Sequence, residues 1–156
     1  MDKAIEQAVT GTLSYNGQRC TALKILFVPR NHAEMFASKL AEKIDKLRVG
    51  LPWQTWDEGL SQITPLPNQG RISYMKELIA DATEHGAKVV NTKGGVVVGG
   101  NNSTLMIPCA LYPVDQSMKI YDEEQFGPVI PIVPYGDVDS IKEYARDGKY
   151  GQQVSY

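Results

Sequence analysis

Cys20 lies in the stretch Tyr15-Asn16-Gly17-Gln18-Arg19-Cys20-Thr21-Ala22. A thiol attacks carbon only as its thiolate, which is favoured by a positive neighbour, a helix N-terminus or backbone N–H groups. Arg19 puts a cation next to it in sequence, and Gly17 lets another stretch of backbone come close. This set suits nucleophilic catalysis on an acyl or carbonyl carbon. A plainer role fits as well: free cysteine packs as a small apolar side chain at a helix–strand junction. Residue types alone leave both readings open.

Few other residues offer chemistry. Glu123-Glu124 precede Gln125-Phe126-Gly127-Pro128. By type these are a solvated charge pair, a core aromatic and a turn. Cys109 falls in an apolar run and reads as core. His32 and His85 fall near expected helix ends, where solvation and capping explain them. Without a CxxC and with two histidines, a structural zinc site is not expected. Gly94-Gly95 and Gly99-Gly100 flank an apolar triplet and open no helix, so they make no phosphate-binding loop.

These residues need a scaffold. At 156 residues the chain fits one domain able to bury roughly 70% of its unfolded surface. A net charge of −2 gives no electrostatic case for nucleic acid or an anionic membrane. No apolar run approaches the roughly 20 residues of a membrane span, and residues 1–10 lack a signal-peptide core. Two cysteines in unlike contexts read as reduced thiols, which points to a cytoplasmic location.

Periodicity predicts a helix over 2–13 and a strand from Lys24 to Val28. A helix follows, with Asn31 as N-cap and Glu34 closing a capping box, ending near Gly50. Its apolar face carries Phe36, Leu40, Ile44 and Leu47. Pro52, Trp53, Trp56, Gly59, Pro65 and Pro67 mark 51–67 as a loop. A helix over 69–84 points Ile72, Met75, Ile79 and Ala82 inward and stops at Gly86. Extended segments are expected at 88–91, 96–98, 105–114 and 129–133, a helix at 138–146, and the start of a last strand at 152–156. Helices alternating with short apolar strands indicate an α/β, three-layer domain with a largely parallel sheet flanked by helices. The abrupt ends predict a piece of a longer protein.

The segment Ser14-Tyr15-Asn16-Gly17-Gln18-Arg19-Cys20-Thr21-Ala22 resembles the cysteine segment of the aldehyde dehydrogenase superfamily. Glu123-Glu124-Gln125-Phe126-Gly127-Pro128-Val129 resembles that family's E-E-x-F-G-P-V signature. The intervening "HGAKVV" and "PVDQSMKIYDEEQFGP" stretches are also similar. The Gly-Gln-Arg-Cys-Thr-Ala form is most similar to the non-phosphorylating, NADP-dependent glyceraldehyde phosphate dehydrogenases. The resemblance implies a catalytic-domain fold over residues 1–156, truncated at both ends. It implies Cys20 as nucleophile toward a small-molecule aldehyde, through a thiohemiacetal and a thioester. Glu124 would hold the nicotinamide ribose of NAD or NADP, with Phe126 beside the nicotinamide. Arg19 would bind a substrate phosphate or tune the thiol, and Asn16 and Gln18 would brace the loop.

The family's general base lies in an E-L-G-G segment upstream of its cysteine, and only residues 1–19 precede Cys20 here. The cofactor domain and the strand arm that pairs family members as dimers have no counterpart either. The implied parent is a homo-oligomer. The 156-residue chain alone is expected to turn over little or no aldehyde and to bind NAD(P) weakly. Two alternatives remain at this stage: a stand-alone cysteine esterase or acyl-transfer protein, and a non-catalytic interaction domain.

Overall fold

A computed structural model describes residues 1–155. Helix α1 (Asp2–Leu13) runs into a 3₁₀ turn (Ser14–Gly17). Strand β1 (Leu26–Pro29) leads directly into α2 (Arg30–Ile44). A small hairpin, β2 (Thr55–Trp56) with β3 (Gly59–Leu60), precedes α3 (Gln69–Glu84). Then come β4 (Lys88–Val89), a second hairpin of β5 (Val97–Val98) with β6 (Leu105–Met106), and β7 (Cys109–Tyr112). Short α4 (Lys119–Asp122), β8 (Val129–Tyr135) and α5 (Val138–Asp147) follow.

The central sheet has the order β1-β8-β7-β4. β8 pairs parallel with both β1 and β7, and β4 joins antiparallel at the edge. Helices cover both faces, as a parallel sheet requires, so the inner strands read as continuous apolar runs. Side chains alternate across the sheet with a period of two. Cys109, Leu111, Val129 and Val133 pack with Ile72, Met75 and Leu78 of α3 and with Ile120 and Tyr121 of α4. Ala110, Ile130 and Ile132 pack on the other face with Ile5 and Ala8 of α1 and with Phe36, Leu40 and Ile44 of α2. This is the expected three-layer α/β architecture.

Several boundaries differ from the sequence expectation. Asn31 is not an N-cap: α2 begins at Arg30 behind Pro29, with no side-chain cap. Proline's fixed φ takes the chain from strand to helix at that residue, so Asn31 and Glu34 lie exposed within the first turns. The helix stops at Ile44, and Leu47 sits half-buried beyond it. The 105–114 run breaks at Ile107-Pro108 into β6 and β7. The 88–91 strand shortens to two residues because Asn91 replaces ladder bonds with its amide. Its Nδ2 donates to Pro108 O (2.8 Å) and its Oδ1 accepts from Ala110 N (2.9 Å). Helix α4 carries no readable period at four residues. Residues 152–155 form no strand, and Tyr156 lies outside the described residues. Among the described residues no helix is long and apolar enough to cross a membrane.

Candidate active site

The cysteine segment is built on a left-handed stretch. Tyr15 (φ 55°), Asn16 (φ 57°) and Gly17 (φ 70°) turn the chain sharply after α1. Asn tolerates this region better than most residues. Buried Asn16 is also locked in place: its Nδ2 donates to Thr64 O (3.0 Å), and its Oδ1 accepts from Thr64 N (3.0 Å). Its expected bracing role is met. Gly17 admits no side chain. A Cβ there would lie 2.7 Å from both Thr12 O and Gly127 O. The tight approach expected at Gly17 is therefore to the other signature segment, which lies roughly 100 residues along the chain.

Cys20 is exposed, in a turn closed by Ala22 N donating to Arg19 O (3.0 Å). The buried-core alternative for Cys20 is thereby excluded. Cys109 is fully buried, and burial pushes its thiol up to about 12. Arg19 donates through Nη2 to Ser14 Oγ, and its guanidinium carbon stands 5.7 Å from the exposed Tyr15 ring centroid.

The acidic turn is held from two sides. Phe126 is half-buried with φ 43°, a left-handed aromatic that something must hold. Arg71 of α3 does so, donating through Nη2 to Phe126 O (2.9 Å) and to Gln125 O. Buried Gln125 donates through Nε2 to Lys24 O (2.7 Å) and Val129 O (2.8 Å). Half-buried Glu124 makes no side-chain hydrogen bond or ion pair among the described residues, while Glu123 faces Lys149 at 3.5 Å.

A crevice separates the segments, lined by Thr12, Gly17, Arg19 and Lys24 on one side and Glu124, Phe126 and Gly127 on the other. Cys20 sits between Arg19 and Ala22, two of its lining residues. Sequence reading missed Lys24 and Arg71. Lys24 Nζ donates to Tyr121 O (2.6 Å) and Tyr144 Oη (3.0 Å). Burial pulls this amine down to about 8, against the opposing pull of Asp122, Glu123 and Glu124. A lysine opening a strand-like run, with three acids near the other motif, was the only sequence signal. Arg71 gave none, since helix position alone does not show which carbonyls it meets.

Neither histidine lines the crevice. His85 caps α3 and contacts Asp81 O (2.8 Å), and His32 is exposed on α2. A cysteine hydrolase relying on a histidine base within this chain finds no support. Among the described residues no cluster of His, Cys, Asp or Glu is arranged to hold a metal.

An exposed cysteine beside a crevice whose other wall is an acid–aromatic turn marks a thiol-bearing α/β scaffold. The family comparison specifies it further. The model for "Aldehyde dehydrogenase family" matches residues 1–155, and the chain belongs to that family. It is 33% identical to an NADP-dependent glyceraldehyde-3-phosphate dehydrogenase of Streptococcus equinus, over 99% of this chain and 30% of that protein. It is 32% identical to an NADP-dependent succinate-semialdehyde dehydrogenase of Escherichia coli, over 97% of this chain and 30% of that protein. The crystal structure of the Bacillus halodurans NADP-dependent glyceraldehyde-3-phosphate dehydrogenase, complexed with NADP, superposes with a TM-score of 0.81 at 32% identity. That match covers 95% of this chain and 29% of the other. The chain thus spans about 30% of the length of the relatives it matches.

Proposed function

We propose that this chain supplies the thiol half of an NAD(P)-dependent aldehyde dehydrogenase site, with Cys20 as the nucleophile. The observation that carries the reading is the meeting of the two signature segments at Gly17 and Gly127, with Cys20 exposed beside the crevice. Cys20 Sγ, as thiolate, forms a bond to the aldehyde carbon and gives a thiohemiacetal. Loss of hydride from that carbon leaves a thioester on Sγ. Water then cleaves the C–S bond, releasing the carboxylic acid and restoring the thiol. The Cys20 backbone N–H would be one donor to the developing oxyanion.

The crevice residues fit the nicotinamide-ribose end of a dinucleotide and no more. Glu124 offers an unengaged carboxylate that would accept from a ribose diol, and Phe126 lines the crevice with it. NAD(P), when bound, accepts the hydride. Among the described residues no phosphate-cradling loop opens a helix, so the rest of a dinucleotide has no cradle on this part of the chain. The general base and the remaining cofactor contacts are assigned outside this chain. The chain alone is therefore assigned little aldehyde turnover and weak NAD(P) binding. Arg19, the cation on the cysteine turn, would face an anionic group of the substrate or favour the thiolate. The working assembly is proposed to be a cytoplasmic homo-oligomer acting on a small-molecule aldehyde.

The test is acylation. Incubating the chain with p-nitrophenyl acetate near neutral pH is expected to place one acetyl group on Cys20. The adduct is absent in Cys20→Ser and unaffected by Cys109→Ser. Labelling no faster than that of an unstructured cysteine peptide would remove the case for a competent thiol. Tight NAD(P) binding by the isolated chain would overturn the split-site assignment.

A further inference from the structure

We propose that the crevice holds one ordered water that bridges Arg19 Nε to Gln125 Oε1 and sets the cysteine turn in register with the acidic turn. Two polar atoms motivate this. Gln125 is 95% buried, and its Oε1 finds no protein donor. Arg19 Nε is buried in the same way and finds no protein acceptor, while its Nη2 is committed to Ser14 Oγ. One orphan is an acceptor and the other a donor, and both residues line the same crevice.

The orientation of the Gln125 amide is not free. Its Nε2 already meets two carbonyls, Lys24 O at 2.7 Å and Val129 O at 2.8 Å. Flipping the amide would set Oε1 against both carbonyls, so the orphan must be the oxygen. Buried polar atoms in native folds are almost always paired, and ordered water is the usual partner when protein is not.

Size and charge select the occupant. The crevice volume is about 20 Å³, and a water needs roughly 10–15 Å³, so one water fits. An anion would meet Gln125 Oε1 and the Glu124 carboxylate, and a cation would meet Arg19 and Lys24. A neutral molecule that accepts from Nε–H and donates to Oε1 suits both. Arg19 immediately precedes Cys20, and Gln125 immediately follows Glu124. The bridge therefore links the residues next to the nucleophile and next to the ribose-binding acid. That functional meaning rests on the proposed function, whereas the water itself does not.

A high-resolution crystal structure of this chain is expected to show one solvent peak within hydrogen-bond reach of Arg19 Nε and Gln125 Oε1. An empty crevice, a bound ion, or a direct bond between the two groups overturns the proposal. A double-mutant cycle with Arg19→Met and Gln125→Met gives a second readout. The Nε2 bonds are lost equally in both backgrounds, so they cancel. A water-mediated link predicts non-additivity of about fivefold in the unfolding equilibrium constant, whereas additivity within about twofold contradicts it. If Gln125→Met does not fold, the crystal structure of the unaltered chain decides. Failure of Cys20 to acylate while the solvent peak is present would sink the proposed function and leave this bridge standing.

Discussion

Replacing Gly17 by alanine probes the contact on which the site depends. The new Cβ would sit 2.7 Å from two backbone carbonyl oxygens, Thr12 O and Gly127 O, against 3.4–4 Å for ordinary contact. Neither oxygen belongs to a flexible side chain. Thr12 lies in α1, and Gly127 follows Phe126, whose carbonyl Arg71 holds. The left-handed φ of +70° adds about 1–2 kcal/mol for any residue with a Cβ. Relieving the two overlaps by backbone movement costs a further ~1–3 kcal/mol. The sum, about 2–5 kcal/mol, corresponds to a fall in Tm of about 5–15 °C for a domain of this size. Gly86→Ala is the control: its φ is +105°, yet nothing lies within 4 Å of a new Cβ. It therefore carries the strain without the clash, about 1–2 kcal/mol. Thermal unfolding of both variants, followed by circular dichroism, separates the contributions. The reasoning is refuted if Gly17→Ala unfolds at the same temperature as Gly86→Ala.

Arg71→Met removes the two carbonyl contacts that hold Phe126 in its left-handed conformation. It should destabilise the fold by about 1.5–3 kcal/mol and speed amide hydrogen exchange across 123–128 while leaving β8 protected. Unchanged exchange there would show that the turn holds itself. Lys24 sets a pH dependence. Burial lowers its folded-state amine to about 8, against 10.5 for an ordinary lysine. The unfolded chain thus binds more protons between those values, and the Lys24 contribution to stability rises with pH from about 8 toward 10. Denaturant titrations at pH 7.5 and 9.5 should show this rise in the unaltered chain and lose it in Lys24→Met. An identical difference in both chains would assign the rise to other groups.

The layers were legible because both faces of the sheet are buried. Apolar runs at 129–133 and 109–112 and the helical periods of α2 and α3 leave little freedom. The ends of elements were less so. The Asn31–Glu34 pattern imitates a capping box, yet Pro29 starts the helix first. Asn91 ends a strand by substituting its amide for a backbone partner, a contact with Pro108 and Ala110 that no local rule encodes. The proposed roles of Cys20, Glu124 and Phe126 come from the sequence because these residues stand in two recognisable motifs. Lys24, Arg71 and the Oε1 of Gln125 were not, since their meaning lies in which distant carbonyls and crevices they meet. Gly17 falls between: its type announced a close approach, and only the fold supplied the partner, Gly127.

The central claim is that the sulfur of Cys20 bonds to an aldehyde carbon. Carbon-13 NMR of this chain with a small aldehyde labelled at its carbonyl carbon tests it directly. The account predicts a saturable tetrahedral-carbon signal at concentrations where glutathione gives none, retained in Cys109→Ser and lost in Cys20→Ser. No such signal, or one that survives Cys20→Ser, would contradict it.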